Sequence, residues 1–156
     1  YKYMNFLNFF RPFIFMKAKI TWVGVVKFIA ESESGHRIIM DGPPDYGGGN
    51  AGPRPMEMML MGMGGCSAFD VVHILQKSHQ SVATCVAEIT AVRAKEVPAV
   101  FTKIHLHFLV SGDNLKESIV RNAVKLSAEK YCSASIMLTK GGVEVTHTFE
   151  INSPKV

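Results

Sequence analysis

Apolar and polar residues alternate with a period of two in several stretches of the chain, as they do in a strand that has one face in a core. The clearest stretches are residues 82–93 (VATCVAEITAVR) and 101–110 (FTKIHLHFLV), which a short connection containing Pro98 separates. This pattern predicts two antiparallel strands. One face of the second strand carries only apolar residues, namely Ile104, Leu106, Phe108 and Val110.

Three further stretches also predict strands. Residues 17–30 (KAKITWVGVVKFIA) are rich in Val, Ile and aromatic residues and lead into the turn-like sequence ESESG, so we predict one strand that enters a hairpin. Residues 36–41 (HRIIMD) are its predicted partner, and residues 143–151 (VEVTHTFEI) form the predicted last strand.

Residues 55–77 (PMEMMLMGMGGCSAFDVVHILQK) predict a helix. Pro55 suits its first turn, Glu57 favours the positive end of the helix dipole, and no later proline interrupts the segment. Residues 58–69 carry no charge, which is typical of a helix inside a protein and too short a run to cross a bilayer. The glycines at 62, 64 and 65 predict a close approach by another backbone, which we expect to be a second helix.

A second helix is predicted from residue 114 to about Tyr131. Asn114 and Glu117 have the spacing of a capping box, and apolar residues recur on one side of the segment after them. A short helical turn is predicted over residues 133–140 (SASIMLTK), before the Gly141-Gly142 break.

These elements follow one another in the order β-β-α-β-β-α-β. The chain has no internal repeat and no linker long enough to divide two domains, so we predict a single domain over residues 16–156. Strands outnumber helices and mostly form hairpins, which indicates the α+β class.

Composition and charge limit the kinds of partner that we expect for the protein. The 156 residues are 47% apolar and 19% charged, as in a folded globular domain. The net charge of +4 comes from 17 basic and 13 acidic residues, and the basic ones are scattered. Nucleic-acid binding needs clustered Lys and Arg, ideally with exposed aromatic residues, so we expect no nucleic-acid partner. We expect no membrane partner either.

Residues 1–15 (YKYMNFLNFFRPFIF) stand apart from this pattern. They are rich in aromatic residues, contain Arg11-Pro12 and lack the small-residue cleavage site of a secretory signal. We predict that they are an N-terminal extension or a start-site artefact, and that the native product begins at Met16. A short membrane-surface anchor is the alternative, which mass spectrometry of the native protein would exclude by finding Met16 first.

The chain contains three cysteines, Cys66, Cys85 and Cys132. They are too few and too far apart for a disulfide scaffold, and the odd number leaves at least one free thiol. A reducing compartment, the cytoplasm, fits this usage best, and widely spaced cysteines there are typical of catalysis or redox sensing. Cys85 shares a strand face with small and apolar residues, so we assign it to packing.

The segments around the other two cysteines resemble a known family. Residues 53–68 (PRPMEMMLMGMGGCSA) are similar to the Pro-x-Glu-Leu-Leu…Gly-x-Cys-x-Ala helix of the OsmC/Ohr family (osmotically inducible protein C and organic hydroperoxide resistance protein). Residues 126–132 (LSAEKYC) resemble the end of its second cysteine helix. The Gly-Gly-Gly loop at 47–49 and the Trp-Val-Gly strand at 22–24 add to a resemblance that covers residues 16 to about 152.

This resemblance implies both a fold and a reaction. The implied fold is an intertwined homodimer in which antiparallel sheets wrap around two central cysteine-bearing helices. In the implied reaction Cys66 attacks an organic hydroperoxide and becomes a sulfenic acid, and Cys132 condenses with it to a disulfide. An external dithiol reduces that disulfide. Cys66 and Cys132 are therefore candidate catalytic residues.

A positive group has to help Cys66 ionise, because an ordinary cysteine of pKa ~8.5 is only a few per cent thiolate at neutral pH. The family provides an Arg that a Glu orients. Here Met56 follows the proline and the carboxylate is Glu57, our third candidate catalytic residue. Alternatively, Glu57 has no catalytic role and is only a first-turn carboxylate that the helix dipole stabilises. The departure resembles a less characterised branch of the family, with three candidate cations, Lys27, Arg37 and Arg54.

Other residue types add no expected site. His105 and His107 share one strand face without a convincing third ligand, which indicates a solvated face rather than a metal site. The methionines between 56 and 63 suit adaptable core packing. We therefore expect no metal and no cofactor.

Three functions stay open for the predicted fold. The first is a thiol-dependent peroxidase that reduces organic hydroperoxides. The second is a non-enzymatic redox-sensing or small-ligand-binding dimer that keeps the fold and the cysteines. In the third, both cysteines are merely buried, and their thiols would resist alkylation in the folded state.

Overall fold

The computed structural model of the protein describes residues 16–153, in which the chain forms six strands and three α-helices. Two compact units divide the chain, one ending at Met58 and the other beginning at Met59, inside the first helix. The single-domain organisation stays a prediction. The prediction for residues 1–15 lies outside the described residues.

The first unit contains an antiparallel sheet of three strands in the order of the sequence. They are β1 (Ala18–Gly24), β2 (Lys27–Ser32) and β3 (Arg37–Met40). Among the described residues of this unit, no apolar side chain is fully buried.

The chain reverses between β1 and β2 at Gly24 and Val25, whose φ angles are +129° and +45°. The indole Nε1 of Trp22 donates a hydrogen bond to the Val25 carbonyl oxygen at 3.0 Å. A β-branched residue rarely adopts a positive φ, and no Asn-Gly or Asp-Gly pair marks this turn. The prediction of a single strand over residues 17–30 is therefore wrong.

Asp41 organises the glycine-rich loop that follows β3. Its side chain is buried, and its carboxylate accepts hydrogen bonds from the backbone N–H groups of Gly42, Gly49 and Ala51 at 2.9, 3.0 and 3.0 Å. The bond from Ala51 is the largest cause that lowers the Asp41 pKa, against an opposing effect of burial. The ionised Asp41 side chain thus holds the loop at the end of β3 through these hydrogen bonds.

We expect Asp41→Ala to release this loop, with faster amide hydrogen exchange at Gly49 and Ala51, whereas the exposed Asp45→Ala changes neither amide. In the unaltered protein, the stability from Asp41 is complete above the unfolded pKa of ~3.9 and is lost as pH falls through the lower folded pKa. In the unaltered protein, loss of the Asp41 charge at low pH should therefore speed exchange of these amides. Asp41→Ala should lack this additional increase. Equal protection of the Gly49 and Ala51 amides in Asp41→Ala and in Asp45→Ala would contradict this role of Asp41.

Helix α1 (Pro55–Lys77) has the predicted bounds. Its buried residues recur about every fourth position, as expected for one face against a core, and are Met63, Gly64, Ser67, Val71 and Leu75. Helix α1 is also long enough and apolar enough to cross a membrane. Core helices of globular proteins meet the same two criteria.

Within the described residues of one chain, the glycines of α1 do not approach a second helix. A Cβ at Gly64 would lie 2.6 Å from Cδ1 of Ile89, a strand side chain, and Cβ atoms at Gly62 and Gly65 would meet nothing within 4 Å. The expected crossing by a second helix is therefore not found within the single chain. Gly64 makes room for a strand, while Gly62 and Gly65 face open space on the described chain.

The second unit contains a mixed sheet in which β5 is central. Its strands are β4 (Ser81–Arg93), β5 (Phe101–Asp113) and β6 (Glu144–Asn152). β4 and β5 are antiparallel, as predicted, but β6 runs parallel to β5. The expectation of antiparallel sheets fails at this pair, because the helical segment between β5 and β6 returns the chain to the starting end of β5.

Two helices connect β5 to β6. Helix α2 (Glu117–Leu126) continues through a π-helical turn (Ser127–Tyr131), and helix α3 (Ser133–Lys140) follows. The predicted capping box is wrong: Lys116 is the N-cap, and Asn114 has a φ of +52°. The Gln80 side-chain oxygen instead accepts a hydrogen bond from the Lys116 backbone N–H at 2.8 Å.

The core of the second unit lies between its sheet and its helices. The apolar face predicted for β5 is confirmed, because all four of its residues are buried. Helix α2 adds Val120, Ala123 and Val124 to this core. Along the chain, strands and helices follow one another in separate runs, which confirms the α+β class.

Candidate functional site

The side chains of Cys66, Asp70 and Cys132 converge in the second unit. Their sulfur and carboxylate oxygen atoms all lie within 4.8 Å of one another. Cys66 and Cys132 are both free thiols, the first half-buried and the second fully buried. A disulfide joins its sulfurs at about 2.05 Å, and the two thiols lie close together without being bonded to each other.

Helix α1 brings Cys66 and Asp70 together. They are four residues apart, which places them on neighbouring turns of one helix face. Sequence reasoning missed Asp70. The signal was available, because Asp70 is the first charged residue after the uncharged run of residues 58–69 and follows a cysteine at helical spacing.

Cys132 is the N-cap of α3 and is held by serines. Its Sγ accepts hydrogen bonds from the Ser67 hydroxyl at 3.1 Å and from the Ser135 backbone N–H at 3.4 Å. The Ser127 hydroxyl donates to the Ser67 carbonyl oxygen at 3.0 Å. All four residues are buried, so this network fixes the start of α3 against α1.

The N-terminus of α3 is directed at both sulfurs. The backbone N–H of Ser135 bonds to Cys132, and the backbone N–H of Ala134 lowers the pKa of Cys66. Backbone N–H groups at a helix N-terminus carry partial positive charge and favour anions. The site therefore has a positive electrostatic contribution from the backbone.

The surroundings of Cys66 nevertheless favour its thiol form. Burial is the largest cause that raises the Cys66 pKa, followed by a hydrogen bond with Cys132. The Ala134 N–H lowers it, and the charges of Cys132 and Asp70 raise it. No cation is among these influences from the described residues. In the single chain, the thiolate is therefore suppressed.

Asp70 is an incompletely bonded carboxylate. Burial raises its pKa most, while the Ser127 hydroxyl and the charge of His73 act in the opposite direction. Its Oδ2 atom is buried and has no hydrogen-bond partner among the described residues. A buried carboxylate oxygen of this kind is costly unless something binds it.

Comparison with known proteins gives this site a family context. Residues 47–148, well over half of the chain, match the family model for OsmC-like proteins. The chain belongs to the OsmC-like protein family. The resemblance inferred from the two cysteine segments is thus confirmed.

Relatives of this OsmC-like protein agree with the assignment. Protein YhfA of Escherichia coli K12 is 51% identical over 136 residues, which cover 87% of this chain and 98% of YhfA. A hypothetical protein from Aquifex aeolicus is 27% identical, with a TM-score of 0.78 over 90% of this chain and 98% of its own. The organic hydroperoxide resistance protein OhrB of Bacillus subtilis shares the fold, with 17% identity and a TM-score of 0.60 over 87% and 98% of the two chains.

The other predicted site residues of this OsmC-like protein lie in its first unit. Glu57 is half exposed, accepts a hydrogen bond from the Arg54 backbone N–H at 2.9 Å and pairs with the Arg54 guanidinium at 3.4 Å. Arg37 pairs with Glu31 at 2.7 Å. The Lys27 charge acts on Asp41. Each candidate cation thus faces a carboxylate of its own unit, and the catalytic role of Glu57 stays a prediction.

The remaining cysteine and the strand histidines lie apart from the three converging side chains. Cys85 pairs with Val110 across β4 and β5, and burial raises its pKa. His105 and His107 each hydrogen bond to the Thr148 hydroxyl, at 2.9 and 2.7 Å, on the β5–β6 surface. Threonine hydroxyls are the hydrogen-bond partners of these two rings.

We expect Asp70→Asn to lower the pKa of Cys66, because the substitution removes a negative charge that raises it. Cys66 of metal-free, reduced protein should then react faster with iodoacetamide at neutral pH, and its rate-against-pH curve should move to lower pH. Peptide mass spectrometry separates Cys66 from the other thiols. The control is Glu129→Gln, which removes an acid from the neighbouring π-helical turn and should leave the curve in place. An unchanged curve in Asp70→Asn would contradict the electrostatic role of Asp70.

Proposed function

We propose that the chain is a thiol-dependent reductase of organic hydroperoxides in which Cys66 and Cys132 act as a pair. One observation carries this proposal: two free thiols, 66 positions apart in sequence, lie within 4.8 Å inside a hydrogen-bonded network. Membership of the OsmC-like family supports a redox role. The name of OhrB, a structural neighbour, points to organic hydroperoxides.

The proposed reaction runs in three balanced steps. The Cys66 thiolate attacks the outer oxygen of ROOH, the O–O bond breaks, and the alcohol ROH leaves with one proton. The resulting Cys66 sulfenic acid condenses with the Cys132 thiol, which forms the disulfide and releases water. An external dithiol then reduces the disulfide and is itself oxidised to a disulfide.

Ionisation of Cys66 is the step that the single chain assists least. The Ala134 N–H favours the thiolate and lowers the Cys66 pKa, but burial and the hydrogen bond with Cys132 each raise it more strongly. A cation near the sulfur would remove this obstacle, because one charge at ~4 Å is worth about 4 kcal/mol at an effective dielectric near 20. Lys27, Arg37 and Arg54 remain the candidates for that role, with Glu57 as a positioning carboxylate.

We further propose that the protein is a homodimer. Met61, Gly65 and Phe69 recur every four residues along α1, and the two large side chains are 59% and 56% exposed. In the sheet of the first unit, Trp22 is 65% exposed and Ile20 55%. A single soluble chain rarely exposes so many large apolar side chains, whereas a second copy of the chain would cover them.

The expected result for this assembly is a mass of twice the chain in sedimentation equilibrium. Met61→Asp should shift the protein towards the monomer, because it places a charge in the proposed interface. The control is Glu150→Gln, a change at an exposed position of β6, and it should leave the mass unchanged. A monomer across the accessible concentration range would overturn the dimer.

A redox sensor without turnover is the second candidate, and it is favoured by the half-buried position of Cys66 beside Asp70 and Cys132, which raises its pKa. One assay separates the two functions. The reductase should consume tert-butyl hydroperoxide repeatedly, with one dithiol oxidised per hydroperoxide. A sensor would consume one equivalent per chain and stop. We infer a cytoplasmic location for either function, since both need reduced thiols.

A further inference from the structure

The donor atoms of Cys66, Asp70 and Cys132 form a cluster in which the ionised forms repel one another, and the His73 charge favours only the Asp70 carboxylate. A carboxylate beside a thiol opposes the thiolate, because like charges repel. Among the described residues, this is the one group of three His, Cys, Asp or Glu side chains whose donor atoms converge within 4.8 Å. The placement of Asp70 suits a site that binds positive charge better than one that only forms a disulfide.

We propose that the reduced protein binds a thiophilic divalent cation, Zn²⁺, through Cys66 Sγ, Cys132 Sγ and a carboxylate oxygen of Asp70. Binding replaces two S–H bonds by two Zn–S bonds, and the two protons pass to solvent. Two thiolates and one carboxylate are ordinary zinc ligands, and three protein ligands leave a fourth tetrahedral position for water or a small molecule. The sequence pattern pointed only to histidines and methionines as possible metal ligands, and no metal site was predicted at these three residues.

The distances suit this metal after a small adjustment. Zn–S and Zn–O bonds of about 2.3 and 2.0–2.2 Å place tetrahedral ligands roughly 3.5–3.8 Å apart. The three donor atoms lie within 4.8 Å, so rotations of the three side chains can close the remaining gap. Helical spacing fixes two of the ligands on α1, and the N-cap position fixes the third on α3.

Two further observations point to a ligand at this cluster. The Oδ2 atom of Asp70 is buried without a hydrogen-bond partner among the described residues, and a zinc ion would satisfy the carboxylate. The Cys132 sulfur accepts hydrogen bonds from Ser67 and Ser135, which are the kind of outer interactions that orient thiolate ligands. The positive N-terminus of α3 balances the remaining negative charge of a dithiolate-carboxylate zinc site.

The redox consequence of this site rests on the proposed function. A Cys66–Cys132 disulfide uses both sulfurs, so zinc and the disulfide exclude each other. Oxidation by a hydroperoxide would therefore release the metal, and bound zinc would protect both thiols from oxidation. Metal binding by the reduced protein does not depend on turnover.

Titration of reduced, chelator-stripped full chain with Co²⁺ tests the site directly. We expect one equivalent of Co²⁺ per chain to produce thiolate-to-cobalt charge-transfer absorption and tetrahedral d–d bands, and Zn²⁺ to displace it. Protein oxidised to the disulfide should give neither signal. Absence of Co²⁺ and Zn²⁺ binding by folded, reduced protein would overturn the proposal.

Matched variants assign the ligands. Cys66→Ser and Cys132→Ser should each remove most of the charge-transfer intensity, whereas Cys85→Ser should leave it unchanged. Asp70→Asn should keep the charge transfer but weaken zinc affinity by at least about tenfold, the scale expected for a perturbed zinc site. Equal spectra and affinities in all four variants would overturn the assignment.

The peroxidase assay is independent of these outcomes. A protein that binds Co²⁺ through both thiols but never turns over tert-butyl hydroperoxide would retain the metal site and lose the proposed enzyme activity. A protein that turns over hydroperoxide but gives no cobalt charge transfer would retain the enzyme activity and lose the metal site.

Discussion

Cys66→Ser is expected to reduce hydroperoxide turnover to the uncatalysed background, a fall of at least about three orders of magnitude. A serine hydroxyl is neither ionised at neutral pH nor able to accept an oxygen atom from a hydroperoxide, so the first step has no nucleophile. Consumption of tert-butyl hydroperoxide, with dithiol in excess, measures the loss.

Cys132→Ser and Cys85→Ser separate the roles of the three thiols. Cys132→Ser should consume one equivalent and stop with a sulfenic acid on Cys66, which a cyclic diketone traps for mass spectrometry. Cys85→Ser is the matched control and should keep full turnover, because Cys85 lies in β4 and is not among the converging donor groups. Turnover that survives in Cys66→Ser, or that fails equally in Cys85→Ser, would contradict the assignment of Cys66.

The sequence predicted most elements of the fold, because strong periodicity leaves few alternatives. The bounds of α1 were correct, and the four alternating residues of β5 are buried. The errors lie where local geometry overrides pattern. Val25 turns the chain at a positive φ, and a partner side chain, Gln80, takes the hydrogen bond that a capping box would have made.

The sequence pattern did not predict the direction of β6 relative to β5. Alternating residues fix which face of a strand is buried, but they do not fix whether the strand runs parallel or antiparallel to its neighbour. The length of the helical connection between β5 and β6 is the physical cue, because parallel neighbours need a crossover of about a dozen residues or more.

The candidate site was only partly accessible from sequence. Family resemblance pointed to Cys66 and Cys132, and each stands in the cluster that the structure brings together. Asp70 and the backbone N–H groups of Ala134 and Ser135 were missed. A backbone donor has no residue signature, and an acid four residues after a cysteine becomes informative only once the second thiol is known to lie beside both.

Phe108→Ala is expected to lower the free energy of unfolding by about 3–5 kcal/mol, the usual cost of removing a buried aromatic ring. Phe108 is 1% exposed and lies on the central strand β5, where it pairs with Ala87 of β4 and Phe149 of β6. Loss of the ring leaves a cavity that two neighbouring strands cannot close by moving independently. Since whole domains are stable by only about 5–15 kcal/mol, this single change removes a large share.

Urea unfolding at one fixed protein concentration measures the effect of Phe108→Ala, because the midpoint of the proposed dimer would depend on concentration. Phe108→Leu keeps most of the apolar volume and should cost less than half as much. The surface control is Val92→Ala in β4, whose side chain is 55% exposed, and it should cost under about 1 kcal/mol. Similar midpoints for Phe108→Ala and Val92→Ala would mean that β5 is not the centre of the core, and that the cysteine-bearing helix α1 is supported by something other than this sheet.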